Sequence, residues 1–239
     1  MIIGGLGYVT ENCIIDQKQA RDMLSDLKDR KDLVQMTFEN NEIVDVEGMC
    51  AVFRHLKNFE KLESLNFRCN KNFSDQIVQA LSDGITLKKE LRTVDLGENS
   101  ITDNGIQILG DALRTHVRLH MLFLDTNKIT AGGAEGLSEC LKNKQDLRVF
   151  NIDNNNIGRD GALKLATQLT TNYGLSKLYC DSNDIGPEGA EAIAECMEMM
   201  DSLKKICFEN NNIKDKGIIA LAKALEENDT LLSLYLESN

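Results

Sequence analysis

Leu175-Ser176-Lys177-Leu178-Tyr179-Cys180-Asp181-Ser182-Asn183-Asp184-Ile185-Gly186-Pro187-Glu188-Gly189 is the stretch that decides the fold. Its apolar residues fall at steps of three and two (Leu175, Leu178, Cys180), an asparagine follows three later, and Ile185 and Gly189 complete the frame. In both directions along the chain the frame returns. Upstream it reads Leu33, Met36, Phe38, Asn41, Ile43; then Leu62, Leu65, Phe67, Asn70; then Leu91, Val94, Leu96, Asn99, Ile101. It continues as Leu119, Leu122, Leu124, Asn127, Ile129 and as Leu147, Phe150, Ile152, Asn155, Ile157. Downstream come Leu203, Ile206, Phe208, Asn211, Ile213 and a last Leu231, Leu234, Leu236. The asparagine column runs Asn12, Asn41, Asn70, Asn99, Asn127, Asn155, Asn183, Asn211, Asn239, spaced by 29 residues three times and by 28 five times. A period of this length overrides any domain count drawn from 239 residues and makes the chain an array of one repeated unit.

Each unit has two halves. The first ends in alternating apolar residues, as expected of a short strand with one face buried. The second, such as Gly189-Ala190 with Ile193-Ala194 and Met197, or Gly217-Ile218 with Leu221-Ala222 and Leu225, carries the apolar stripe of a helix. Gly105, Gly133, Gly161, Gly189 and Gly217 stand near the helix starts, where a missing side chain lets the helix approach the strand layer. Asp103, Asp160, Glu188 and Asp215 lie where a helix N-terminus favours negative charge. The asparagines have a physical role as well. A chain leaving a strand inside a stack strands backbone N–H and C=O groups, and a carboxamide can serve both kinds at once. Asn41, Asn70, Asn99, Asn127, Asn155, Asn183 and Asn211 are therefore expected to form a structural ladder.

This pattern resembles the leucine-rich repeat, and more narrowly its ribonuclease-inhibitor-like subfamily, over about residues 4–239. Its uniform asparagine column looks more like the cytosolic Ran GTPase-activating protein, tropomodulin-type and innate-receptor relatives than like ribonuclease inhibitor, which alternates two unit types. The resemblance implies an α/β solenoid: a right-handed β-α superhelix shaped as a horseshoe, with parallel strands on the concave face and helices on the convex face. Residues 1–32 read as an N-terminal capping unit, with a degenerate strand over Gly4–Ile14 and a first helix marked by Gln17, Ala20, Met23, Leu24 and Leu27. Residues 33–239 read as seven full repeats and a truncated strand. The final strand stops on a ladder residue with no capping sequence after it, so the chain is expected to continue beyond Asn239.

The composition narrows the function classes. A net charge of −11 argues against nucleic acid, whose phosphates require a basic patch. Nothing approaches a membrane-spanning apolar run. The seven cysteines are odd in number, lack C-x-x-C spacing and often occupy apolar positions of the frame. They are read as reduced and mostly buried, which implies the cytoplasm. Three histidines without a Cys or Ser partner at diagnostic spacing, and no P-loop, H-E-x-x-H or G-x-S-x-G motif, point away from an enzyme. Gly4-Gly5-Leu6-Gly7 is too short and too early to be a dinucleotide loop, and the Asp153–Asn156 turn belongs to the strand exit and not to a calcium loop. No cofactor and no metal are expected.

Function then falls to the strand residues that point away from the core. Two and four positions after the first leucine, the later repeats place Met121, Phe123, Val149, Tyr179 and Tyr235. An apolar and aromatic group on such a face is the mark of an interface. Six positions after it, Asp125, Asp153, Asp181, Glu209 and Glu237 form an unbroken acidic run, a docking rail for Lys and Arg of a partner. The ordinary alternatives are scattered exposed apolar residues and a solvated acidic edge. The expected function is a non-enzymatic scaffold that binds a protein partner with a basic surface in the concave face. The resemblance adds two rival readings, a GTPase-activating protein similar to the Ran activator and a sensor or regulatory region of a larger protein.

Overall fold

A computed structural model describes residues 2–4 and 6–239; Gly5 of the early glycine cluster lies outside the described residues. The first units contain β1 (Ile2–Gly4), β2 (Gly7–Glu11), β3 (Ile14–Ile15), α1 (Gln17–Leu27), β4 (Gln35–Glu39), β5 (Glu42–Ile43) and α2 (Val46–His55). Thereafter each unit is one short strand and one helix. These are β6 (Ser64–Asn66) and α3 (Asp75–Ile85), β7 (Thr93–Asp95) and α4 (Asp103–Leu113), and β8 (Met121–Phe123) and α5 (Ala134–Leu141). They continue as β9 (Val149–Asn151) and α6 (Gly158–Leu169), β10 (Lys177–Tyr179) and α7 (Gly186–Met197), β11 (Lys205–Cys207) and α8 (Lys214–Glu227), then β12 (Ser233–Tyr235).

Among the described residues the main sheet has ten strands in the order β1-β2-β4-β6-β7-β8-β9-β10-β11-β12. All its pairings are parallel except that of β1 with β2. Equivalent residues of successive units stand side by side, as Leu178 does between Phe150 and Ile206. The antiparallel β1 was not foreseen: the chain doubles back across the first parallel edge, which covers hydrogen-bonding groups that would otherwise template another strand.

The core lies between the strand layer and the helix layer. The leucine column and its equivalents are fully buried through the middle of the stack, including Leu62, Leu65 and Phe67, and Leu119, Leu122 and Leu124. At the far end Leu231, Leu234 and Leu236 are only partly buried, because among the described residues no element packs beyond β12. The N-terminal units fill their wider core with rings; Phe53 packs against Phe67 at 4.8 Å between centroids and against Phe73 at 5.8 Å. The helix starts follow their sequence signals. Asp16 and Asp45 cap α1 and α2, and the first-turn acids Asp103, Asp160, Glu188 and Asp215 are where charge and helix dipole attract. Gly189 is required by proximity, since a Cβ there would stand 2.6 Å from Ile185 Cγ2 and 2.9 Å from Ala162 Cβ.

The asparagine column forms the ladder. Asn183 Nδ2 donates to the carbonyls of Ile152 (2.9 Å), Cys180 (3.3 Å) and Asp181 (3.1 Å), and its Oδ1 accepts from Ile157 N (3.4 Å). Asn155 and Asn211 repeat the arrangement one unit to either side. The residue before each asparagine from Asn41 to Asn239 adopts the left-handed conformation although none is glycine: φ is 53° at Glu98, 54° at Thr126 and 55° at Ser182. Tight stacking of the turns imposes this conformation, and the ladder bonds hold it in place.

A second column was missed in the sequence. Three residues before six of the eight leading leucines, Arg30, Lys88, His116, Lys144, Asn172 and Asn228 turn a side-chain nitrogen toward carbonyls near the helix ends or strand starts; Phe59 and Met200 hold the other two positions. Lys88 Nζ donates to Lys57 O at 2.7 Å, and His116 Nε2 lies 3.0 Å from Ile85 O. Helix C-termini leave carbonyls unpaired and favour positive charge, so the column satisfies both needs. Lys144 is fully buried, and burial lowers the pKa of both Lys144 and His116.

Candidate functional site

The outward-facing side chains of β8 to β12 meet on the concave sheet. Met121 (36% exposed) registers beside Val149, and Val149 beside Lys177. Phe123 registers beside Asn151, and Asn151 beside Tyr179. The sequence-derived aromatic group is therefore divided. Met121, Phe123 and Val149 form one apolar cluster, and Asn151 separates it from Tyr179. Further along, Tyr179 and Tyr235 (41% exposed) flank Cys207, which is buried and contributes almost no surface. The two rings are joined by Lys205, whose Nζ sits 4.9 Å from the Tyr179 centroid and 4.6 Å from that of Tyr235. The negative ring faces favour the ammonium there. In the N-terminal half Thr37 is likewise buried and adds little surface to the concave face.

The acidic run has three kinds of member. Asp125 does not belong to an exposed rail: it is 5% exposed and held by Arg68 from two repeats away, with Nη2 to Oδ2 at 2.5 Å and Nη1 to Oδ1 at 3.0 Å. Arg68 also meets Asp95 at 3.3 Å and Glu98 at 3.0 Å, and these carboxylates hold its guanidinium charged well above the ordinary range. Its reach depends on Gly97, the residue of the intervening repeat in the same column. A Cβ on Gly97 would collide with the guanidinium and stand 2.8 Å from Asp125 Oδ1.

Asp153 and Asp181 have a structural task. Asp153 Oδ1 accepts the N–H of Asp181 at 2.7 Å, and Asp181 Oδ1 accepts the N–H of Glu209 at 2.6 Å. In other repeats that N–H is served locally: Asn66 binds the amide of Arg68, Asp95 that of Gly97 and Asn151 that of Asp153. Tyr179 and Cys207 replace the local acceptor in β10 and β11, and the preceding aspartate substitutes for it. Burial, with repulsion from Asp181 and Asp125, pushes the Asp153 carboxyl up to about 7, and burial raises Asp181 in the same direction. Glu209 and Glu237 complete the row toward solvent, and Glu237 is exposed.

No group of three or more His, Cys, Asp or Glu side chains among the described residues is arranged to hold a metal ion. The cysteines are free thiols; Cys50, Cys140, Cys180, Cys196 and Cys207 are buried, and desolvation pushes Cys140 and Cys196 up to about 12. Among the described residues no helix is long and apolar enough to cross a membrane.

A family profile described as "Leucine Rich repeat" matches residues 60–82, 90–110, 143–166, 181–194 and 202–222, which are strand-turn-helix segments of this stack except 181–194, a turn and helix. The fold is that of a leucine-rich repeat solenoid. Comparison with curated proteins gives no match. Among solved structures the solenoid is similar to a Caenorhabditis elegans tropomodulin C-terminal domain, at 18% identity and a TM-score of 0.45, over 77% of this chain and 93% of that one. It is also similar to the plant peptide hormone receptor RGFR1 in complex with RGF2, at 13% identity and a TM-score of 0.46, over 93% of this chain and 30% of the receptor.

Proposed function

We propose that this leucine-rich repeat solenoid is a non-enzymatic scaffold that binds a protein partner with a basic surface in the concave face of its C-terminal half. The observation that carries the proposal is the outward apolar cluster of Met121, Phe123 and Val149, one strand from Tyr179 and its clamp on Lys205. A sheet face with no helix upon it has no internal reason to present these side chains. Large rings held by a rigid sheet are the side chains that dominate binding energy where an interface closes over them. Asp153, Asp181, Glu209 and Glu237 border the rings and would select basic groups, whereas Asp125 is already matched by Arg68.

The test is affinity capture from a cell extract with the wild-type chain and with Phe123→Ala/Tyr179→Ala. Truncating two such anchors should weaken binding by about 2 kcal/mol or more, a loss of roughly thirtyfold. A protein retained by the wild type and lost by the variant is the expected result. Equal retention by both would reject the concave C-terminal site. With a partner in hand, added salt should slow association.

A further inference from the structure

The loop end of the first two units carries a cleft that the concave-face reading does not use. It has a volume of about 460 Å³ and is walled by Lys28, Arg30, Lys31, His55, Lys57 and Asn58, with Glu60 its one carboxylate. A concentration of positive charge is unexpected in a chain of net charge −11. Elsewhere many surface cations of this molecule are matched: Arg54 by Asp83, Lys71 by Glu42, Arg118 by Glu90, Lys216 by Glu188 and Glu191. Among the described residues, the ammonium groups of Lys28, Lys31 and Lys57 have neither an ion pair nor a hydrogen bond. Arg30 uses one nitrogen on Gly7 O at 3.1 Å, leaving donors on its planar fork. Lys88 adds another charge behind the wall through its bond to Lys57 O.

The ends of α1 and α2 attract positive charge by their dipoles, which accounts for Lys28 and His55. It does not account for further unpaired lysines around the same concavity, where like charges repel unless an anion joins them. The volume falls within the roughly 300–1,000 Å³ usual for small-ligand sites. A long polyanion would extend over the acidic remainder of the surface. A compact one feels the local lysines, while charges beyond a Debye length of about 8 Å are screened. Point-charge ammonium groups with one guanidinium fork suit phosphate oxygens. We propose that this cleft binds a compact oligophosphate, either a free anion or the phosphorylated headgroup of a lipid.

The probe is tripolyphosphate, titrated into the full chain at physiological salt and followed by phosphorus NMR. Saturable binding is expected. Lys28→Gln/Lys31→Gln/Lys57→Gln should weaken it by at least about tenfold. A charge-matched control, Lys18→Gln/Lys164→Gln/Lys204→Gln, alters exposed lysines outside the cleft and should bind as the wild type does. Thermal melts of both variants establish that they are folded. A second arm uses phosphatidylcholine vesicles with and without a bisphosphorylated inositol lipid. Capture that depends on that lipid and on the cleft lysines makes a headgroup the occupant; titration by the free anion alone makes it a soluble one. Absence of saturable binding in both arms, or equal weakening in the cleft and control variants, would overturn the proposal.

Discussion

Replacing Asn183 by alanine tests the account of what holds the repeats together. The side chain is 1% exposed and makes four hydrogen bonds across two consecutive turns. The carbonyls it serves each keep a second partner: Asn155 Nδ2 on Ile152 O (3.0 Å), Asn211 Nδ2 on Cys180 O (2.8 Å) and Asn154 N on Asp181 O (2.8 Å). Ile157 N is different. It stands just before α6, outside the helix ladder, and loses its acceptor. Three half-satisfied carbonyls at somewhat under 1 kcal/mol each and one orphaned buried N–H at about 1 kcal/mol give a loss near 3 kcal/mol. With an m-value of about 3 kcal/mol/M for a chain of this size, the urea midpoint should fall by about 1 M. A fall below about 0.3 M would refute the reasoning, because the ladder would then be ornamental. Asn183→Asp sharpens the test. Its ionised carboxyl would face the three carbonyls and destabilise at least as much as alanine at neutral pH. The folded state raises the pKa of such an acid, so the penalty is present above that pKa and is relieved as pH falls through it. The midpoint of Asn183→Asp should therefore rise relative to that of Asn183→Ala on acidification.

Other outcomes follow from the concave face and the turns. Asp153 keeps its acceptor oxygen in Asp153→Asn but loses a charge that the fold disfavours. With its pKa raised to about 7, the wild-type penalty is full above that value and is relieved as pH falls toward the ordinary carboxylate range. The variant should be more stable at pH near 8 by about 1 kcal/mol after discounting for solvent, and should lose that advantage near pH 4, as read by urea titration. Arg68→Met leaves Asp125 buried without its partner and should cost about 2–3 kcal/mol in the same assay. Gly97→Ala should approach that loss, because its methyl occupies the path of the guanidinium; a double variant close to the larger single one would show that both act on one bridge. Thr126→Asn should stabilise by about 0.5–1 kcal/mol, measured as a higher melting temperature, since asparagine tolerates the left-handed backbone better than a β-branched residue.

Much of this fold is legible because the period repeats the same physical demand. Leu65, Val94, Leu122 and Phe150 occupy one buried column, and any one of them predicts the next. The asparagine ladder is legible for the same reason, since a carboxamide at fixed phase has one evident task. The second column is interrupted by Phe59 and Met200 and is chemically mixed: Lys88, His116, Lys144 and Asn172 share only an N–H donor. Reading by donor capacity instead of residue type would have found it. The antiparallel β1 has no repeat phase at all, so periodicity is silent about it.

The site was less legible because its contacts depend on differences between neighbouring repeats. Whether an aspartate in the acidic column faces a partner or a backbone amide is decided two positions away, in the adjoining strand. Where Asn151 caps its own turn, the neighbouring acid is not needed; where Tyr179 stands instead, Asp153 must reach across. The aromatic substitution and the burial of the acid are thus one event. Tyr179 supplies a ring to the concave surface, removes a local acceptor, and draws Asp153 toward the sheet, where its carboxyl is raised to about 7. An acid with a raised pKa and one oxygen engaged by a backbone amide is a weaker lure for a basic partner than Glu209 or Glu237 at the solvent edge. The electrostatic selectivity of the proposed interface therefore concentrates at β11 and β12, beside the Lys205 clamp, while Phe123 and its apolar neighbours supply contact area on β8 and β9. Charge selection and apolar contact then occupy opposite ends of one surface, and a partner that engages both must span the strands from β8 to β12.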